Sequence, residues 1–460
     1  MPTPMLTPYV SGDADPFDRR KAAHLLRRAG FGATPEEIDK AVADGLEATV
    51  EALFDEAADE EESYQKTFAA VNGRLLNFAE PEPLQAWWVY RMTTTRVPLR
   101  EKLTLFWHGH FATSREKVDD LSLMHRQVET FRRHAWGNFR ELVVALAKDP
   151  AMLVWLDGES STKEHPNENF ARELMELFTC GIGHYTEDDV RAAARAFTGW
   201  HRDGASFVFH PDAHDGGRKH FLGKSGKFDG TDIIDILMQQ PATPRFLAWK
   251  LLRFFAAPEP AEAVVDEAAA LLDRTRLDLK WFLRELFQSR YFYSADCYRT
   301  RLSSPAEYVV GTLRTLHVRW PAEEAVGRLD AMDQKLLAPP NVKGWDGERA
   351  WINSNTWAAR VAFGRDIAEL AGEGDFAPDL DIGKVVPPGL KAPARVVDRL
   401  AAVLLQGDLP AEARRSLAAF VVANDEGPQP DAFRDDDGFR ADRTRKALGL
   451  VLGLPEYHAY

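Results

Sequence analysis

A mainly α, multi-helical protein is expected, on three observations. Apolar residues recur at three- and four-residue spacing along most of the chain. Helix-start signals stand at fixed offsets, such as Thr34 with Glu37 and Thr186 with Asp189. Alternating, strand-like segments are nearly absent: 206–210 is the best candidate, one arm of at most a small β-hairpin. The predicted organisation is an N-terminal tail (1–16), one large helical core with long loops (17–371), and a small C-terminal helical subdomain (372–460). The Gly/Pro/Asp-rich stretch 372–393 is the expected boundary.

Taken in order, 21–29 leads into the turn Gly30-Phe31-Gly32, and the Thr34/Glu37 capping box opens a helix over 35–43. The period continues over 47–62 and ends in an acidic run, read as a solvated face. Amphipathic helices follow at 84–95 and 98–107. Further periods cover 119–134, 138–148, 167–178, 187–199, 231–239, 243–256, 261–273, 278–288, 304–316 and 357–371, with two or three helices after 392. Two long loops, 200–230 and 338–356, are candidates for function by their length and their polar and aromatic content.

The chain has 460 residues, and 57 Lys+Arg against 71 Asp+Glu give a net charge of −14. That balance argues against a general nucleic-acid or anionic-membrane binder. With 27 Phe and 12 Trp it has ample material for a core. Two cysteines, Cys180 and Cys297, rule out a disulfide scaffold and are expected as buried free thiols. No apolar export segment opens the sequence and no run approaches a membrane span, so a cytoplasmic location is expected.

The densest polar segment is 166–178. On a regular helix Glu168, Arg172 and Glu176 stack at i, i+4 and i+8, with Asn169 and Glu173 alongside. Such a row suits either a polar cleft or an exposed salt-bridged face. The glycines of 179–186 then hold His184 and Tyr185 at the junction with the next helix. Four of the 13 histidines fall within 201–220. There His210, His214 and Asp215 offer imidazole and carboxylate donors for a divalent metal, although no established ligand spacing is present. In the His108-Gly-His110 string, His108 is expected in a polar-capped aromatic cluster with Trp107, Phe111 and His125. Trp200, Trp345 and Trp351 suit stacking on a sugar ring and equally suit a core.

These strings together resemble the bacterial DUF1800 family. The likeness is carried by 23–32 (AHLLRRAGFG), 106–114 (FWHGHFATS), 149–158, 166–178 (PNENFARELMELF), 181–186 (GIGHYT), 194–200 (ARAFTGW), His214-Asp215 with Lys219, Pro305 with Glu307, 339–345 (PPNVKGW) and 351–353 (WIN). It covers about 17–365 in order. The resemblance implies no reaction. It implies relatives that are often exported and often encoded beside a sulfatase-like partner family, whereas this chain lacks an obvious signal. One shared cleft built from these segments is the simplest expectation.

The expected function is an enzyme, foremost a hydrolase acting on glycans. Glu168, Arg172, Glu173, Glu176 and His184 are its catalytic candidates. Trp200, Lys219, Asn341, Lys343 and Trp345 are the candidates for binding substrate. His210, His214 and Asp215 are the candidates for a divalent metal. The alternatives are a non-catalytic partner of a co-encoded protein, using the tryptophan loop as its interface, and a metal-dependent oxidoreductase.

Overall fold

Helical periodicity in the sequence is realised as helix. The structure, a computed structural model, describes residues 5–59, 62–371 and 377–460. The chain is 60% helical, roughly twice the usual ~30–35% of soluble proteins. Among the described residues there are 24 α-helices and three separate two-stranded antiparallel sheets. The starts were legible because their caps are local chemistry. Thr34 accepts from the Glu37 amide while the Glu37 carboxylate accepts from the Thr34 amide, and Thr186 with Asp189 repeats the arrangement.

Two apolar cores stand side by side. The first gathers helices Arg19–Ala29, Phe139–Ala147, Glu187–Phe197, Gly230–Met238, Ala242–Phe255 and Leu279–Phe287. The second gathers Pro81–Thr94, Pro305–Thr315, Ala322–Ala331, Ser354–Glu369, Pro393–Leu405 and Asp437–Leu452. Helix Pro98–His110 runs along the seam. It gives Leu99, Leu103, Phe106 and Trp107 to the first core and Leu105 to the second. It is therefore buried nearly all round, where the sequence predicts one apolar face. Its charged residues survive burial only because each is paired. Glu101 meets Arg132, and Lys102 meets Glu307.

The C-terminal segment shares the second core. Helix Asp437–Leu452 packs along Ser354–Glu369, and the buried Tyr308 hydroxyl donates to the Leu452 carbonyl at 3.1 Å. The first residues of the expected boundary, 372–376, lie outside the described residues.

Three expectations change. The continuous helix over 47–62 is instead helix Leu46–Ala52, a 3₁₀ turn Glu56–Asp59 and a helix beginning at Glu62. The acidic run is not wholly solvated, though residues 60 and 61 lie outside the described residues. Asp59 is buried, accepting from the Thr95 hydroxyl at 3.0 Å and the Arg96 amide at 2.9 Å, and it faces Arg132. Finally, the loop 200–230 holds two hairpins instead of one: Trp200–Asp203 with Ser206–Phe209, and Lys219–Phe221 with Lys224–Gly226.

Candidate functional site

The polar segment forms only the first step of the expected i, i+4, i+8 row: Glu168 and Arg172 pair, and Glu176 does not join them. Its α-helix runs only from Asn169 to Glu173, with Glu168 as its N-cap, and continues as a π-helix over Leu174–Thr179. Arg172, ahead of the π-turn, meets Glu168 at i, i+4 (3.1 Å) as the spacing predicts and, through two bonds of 2.8 Å, Glu187 of the next helix. A π-turn inserts an extra residue per turn and rotates everything after it. Glu176 is left to the Tyr185 hydroxyl, which donates to it at 2.9 Å. Glu173 is half-buried beside it. Burial first, and the neighbouring Glu176 second, hold its carboxyl above the ordinary range against the opposing pull of Arg172. His184 is exposed.

The histidine-rich segment is wound about the end of helix Glu187–Phe197. Asp215 takes the Arg195 guanidinium at 2.6 Å, and its amide donates to the Thr198 hydroxyl at 2.8 Å. Arg195 is the main reason the Asp215 carboxyl sits below its usual range. The His214 Nδ1–H donates to the Thr198 carbonyl at 2.8 Å. Lys219, read as a substrate contact, is buried with its ammonium donating to the Asp215 and Gly217 carbonyls, so it staples the turn. Trp200 is likewise buried, edge-on to Phe197 and Phe207, and belongs to the core. Gly199 permits the fold-back: its φ is +80°, and a Cβ there would lie 2.6 Å from the His210 carbonyl oxygen. His210 is exposed and its ring faces His201 at 4.9 Å. Among the described residues, no group of three His, Cys, Asp or Glu side chains is placed to hold a metal ion. The donor set His210, His214 and Asp215 therefore does not fit one.

Both segments are tied to helix Glu187–Phe197, Arg172 at Glu187 and Asp215 at Arg195. Eight residues of α-helix separate those anchors, about 12 Å along the axis. The expected shared cleft is thus a charged strip in which most ionised groups already have partners.

A cleft does exist, at the seam of the two cores. It encloses about 160 Å³ between the C-terminal end of helix Pro98–His110, one face of helix Ala242–Phe255, and the segments 301–307 and 343–351. Three residues of the tryptophan loop behave differently here. Asn341 is exposed, and its side chain accepts from the Lys343 amide at 2.9 Å, shaping the turn. Lys343 lines the cleft and pairs with Asp346 at 2.6 Å. Trp345 lines it half-buried, its ring 6.4 Å from that of the buried Trp351 and inclined by 39°. Gly344 brings the loop in: its φ is +84°, and a Cβ would stand 2.3 Å from the Gly109 carbonyl oxygen.

The floor of the cleft is ionic. Glu307 is wholly buried between Lys102 (2.5 Å) and Arg301 (3.3 Å). Burial alone would raise its carboxyl, but Arg301 and Lys102 outweigh that and hold it well below the carboxylate range. Burial pulls the Lys102 ammonium down to about 8, against the attraction of Glu307. Arg301 also meets Glu348 at 3.2 Å. Helix Ala242–Phe255 adds Lys250 and Arg253, three residues apart, to the lining. The sequence reading missed both, together with Arg301 and Glu348. Their only signal is a pair of cations at i, i+3 among Phe246, Trp249 and Phe254, which reads as ordinary amphipathic helix.

His108 is buried in aromatic surroundings, as expected, and His110 is too. His108 faces Trp88 and Trp345, and His110 faces Phe111 and Phe178. Burial pushes each imidazole down to about 3. His125 sits apart from them against Trp87 and Phe78.

No curated protein and no solved structure matches the chain. One family model does, described as a protein of unknown function, DUF1800, and it matches residues 24–459. The match reaches through the C-terminal helices, which carry few of the strings quoted above. The chain belongs to the DUF1800 family.

Proposed function

We propose that the protein acts on a glycan and seats one saccharide unit in the tryptophan cleft. The observation that carries this reading is Trp345, half-buried at the edge of a concave site whose other walls bear Arg253, Lys343, Asp346 and Glu348. An indole face beside convergent polar groups suits a sugar, which offers C–H bonds to the ring and hydroxyls to the rim. At about 160 Å³ the space is below the roughly 300–1,000 Å³ of sites for drug-sized ligands, so it suits one ring or one chain end. The interface alternative has less support. Among the described residues, none of 338–357 is an exposed large hydrophobic, so the loop offers no apolar docking patch. Saturation-transfer NMR with D-glucose and D-glucuronate tests the reading. Transfer from wild type that disappears in Trp345→Ala is expected; transfer unchanged in that variant, or none from wild type, would refute it.

Glycan hydrolysis is the second reading, favoured by the Glu173–Glu176 pair. Paired carboxylates in unlike environments suit acid–base work. Burial and the neighbouring Glu176 hold the Glu173 carboxyl above its ordinary range, while Glu176 accepts from the Tyr185 hydroxyl. If this reading is right, Glu173→Gln removes hydrolysis of an oligosaccharide substrate while folding stays intact; retained turnover would sink it.

A further inference from the structure

The cleft carries four cationic side chains, and their counter-charges are unevenly supplied. Arg301 is neutralised by Glu307 and Glu348, and Lys343 by Asp346. Arg253 has the Trp249 ring 4.7 Å away and donates Nε–H to the Pro258 carbonyl at 2.9 Å. Lys250 has only ring faces, Phe246 at 5.4 Å and Trp249 at 5.9 Å. Among the described residues no carboxylate lies within ion-pair distance of its ammonium. Lys250 is half-buried, and burial, followed by repulsion from Arg253 and Lys343, pulls it down to about 8. A half-buried cation without a counter-ion carries a cost that an arriving anion removes. The carboxylates of the cleft cannot serve an incoming cation, because each already has a partner: Lys102 and Arg301 for Glu307, Arg301 and the Leu302 amide for Glu348, Lys343 for Asp346.

We propose that the cleft takes a single acidic saccharide unit, with its carboxylate, sulfate or phosphate group on Lys250 and Arg253 and its ring against Trp345. This rests on the saccharide reading above and adds the charge of the ligand. The cleft volume suits one ring, and Lys250 and Arg253 line it from helix Ala242–Phe255 while Trp345 lines it from the 343–351 segment, so one bound unit can meet both the cations and the indole.

The test is calorimetric titration of the full chain near pH 7 with D-glucuronate, D-glucose and sodium sulfate, using wild type, Lys250→Gln, Lys250→Arg and Trp345→Ala. Glucuronate is expected to bind wild type at least about tenfold more tightly than glucose, the scale of one charge-assisted hydrogen bond. Lys250→Gln should erase that preference, and Lys250→Arg should keep it. The melting temperature of unliganded Lys250→Gln should not fall, because the replaced charge has no ion pair to lose; a structural lysine would lower it. Equal binding of the two sugars, or a preference that survives in Lys250→Gln, overturns the charge assignment. If that equal binding is lost in Trp345→Ala, the saccharide reading stands without it. Sulfate binding as tightly as glucuronate supports the cation pair and overturns the saccharide. Absence of binding by all three probes overturns both.

Discussion

The Lys102 ammonium donates to the Glu307 carboxylate at 2.5 Å with both side chains wholly buried, bridging helix Pro98–His110 to helix Pro305–Thr315 under the floor of the cleft. The pair is not symmetric. Glu307 also holds Arg301 and accepts from the Ser304 amide at 2.8 Å, whereas Glu307 is the sole ion-pair partner of Lys102 among the described residues. Removing Glu307 strands the buried Lys102 and leaves Arg301 with Glu348 alone; removing Lys102 leaves an Arg–Glu pair. Glu307→Gln is therefore expected to cost about 3–5 kcal/mol and Lys102→Met no more than about 1.5 kcal/mol. Urea unfolding of both variants checks the order, and equal losses would contradict it.

Acid sensitivity should come from imidazoles buried in their neutral form. His108, His110 and His458 are each pushed down to about 3 by burial, from an ordinary value of 6.5. Between those limits the unfolded chain binds protons that the folded chain refuses, so stability falls as pH falls. Each group contributes a slope of about 1.4 kcal/mol per pH unit within that window. Glu307 adds a loss of the same sign only at lower pH, as its carboxylate is protonated in the unfolded chain. Urea midpoints between pH 7 and 5 should fall steadily, and His110→Gln should flatten the fall. A flat profile over that range would count against buried neutral histidines.

Gly344 and Gly347 share a positive φ, +84° and +78°, but differ in surroundings. A Cβ at 344 collides with the Gly109 carbonyl, while one at 347 meets nothing within 4 Å. Gly347→Ala should cost only the backbone strain, about 1 kcal/mol. Gly344→Ala should cost more and move Trp345, which near-UV circular dichroism and loss of saccharide binding would register. Equal effects would mean that the close approach of the two loops does not matter.

Preference for an acidic ligand should fade as pH rises through about 8, where Lys250 gives up its proton. The charged and titratable groups lining the cleft with it are His110, Arg253, Arg301, Glu307, Lys343, Asp346 and Glu348. Burial keeps His110 neutral, and Arg301 and Lys102 keep Glu307 ionised. Lys102, also pulled down to about 8, lies beneath the floor against Glu307 and does not line the cleft. Titrating glucuronate against wild type at pH 7 and 9.5 checks this, and an undiminished preference at the higher pH would contradict it.

Fold class and most helix starts were legible because periodicity and caps are local, as at Thr34, Thr186 and Ser304. The buried character of helix Pro98–His110 was not, since Glu101 and Lys102 read as solvent-facing until Arg132 and Glu307 arrive from distant segments. In the polar row the Glu168–Arg172 step was legible, whereas Glu176 falls out of line because the 3.6-residue period breaks at a π-turn beginning at Leu174. Of the candidate cleft, Lys343 and Trp345 stood out as loop residues. Lys250 did not, because its lack of a counter-ion depends on where the carboxylates of 307, 346 and 348 settle.

Hydrogen exchange with glucuronate present asks most directly where the ligand sits. Slowed exchange confined to peptides from 246–256 and 338–357 is the expected result. Slowed exchange over 168–189, with the cleft peptides unchanged, would contradict the account and return the site to the polar helix.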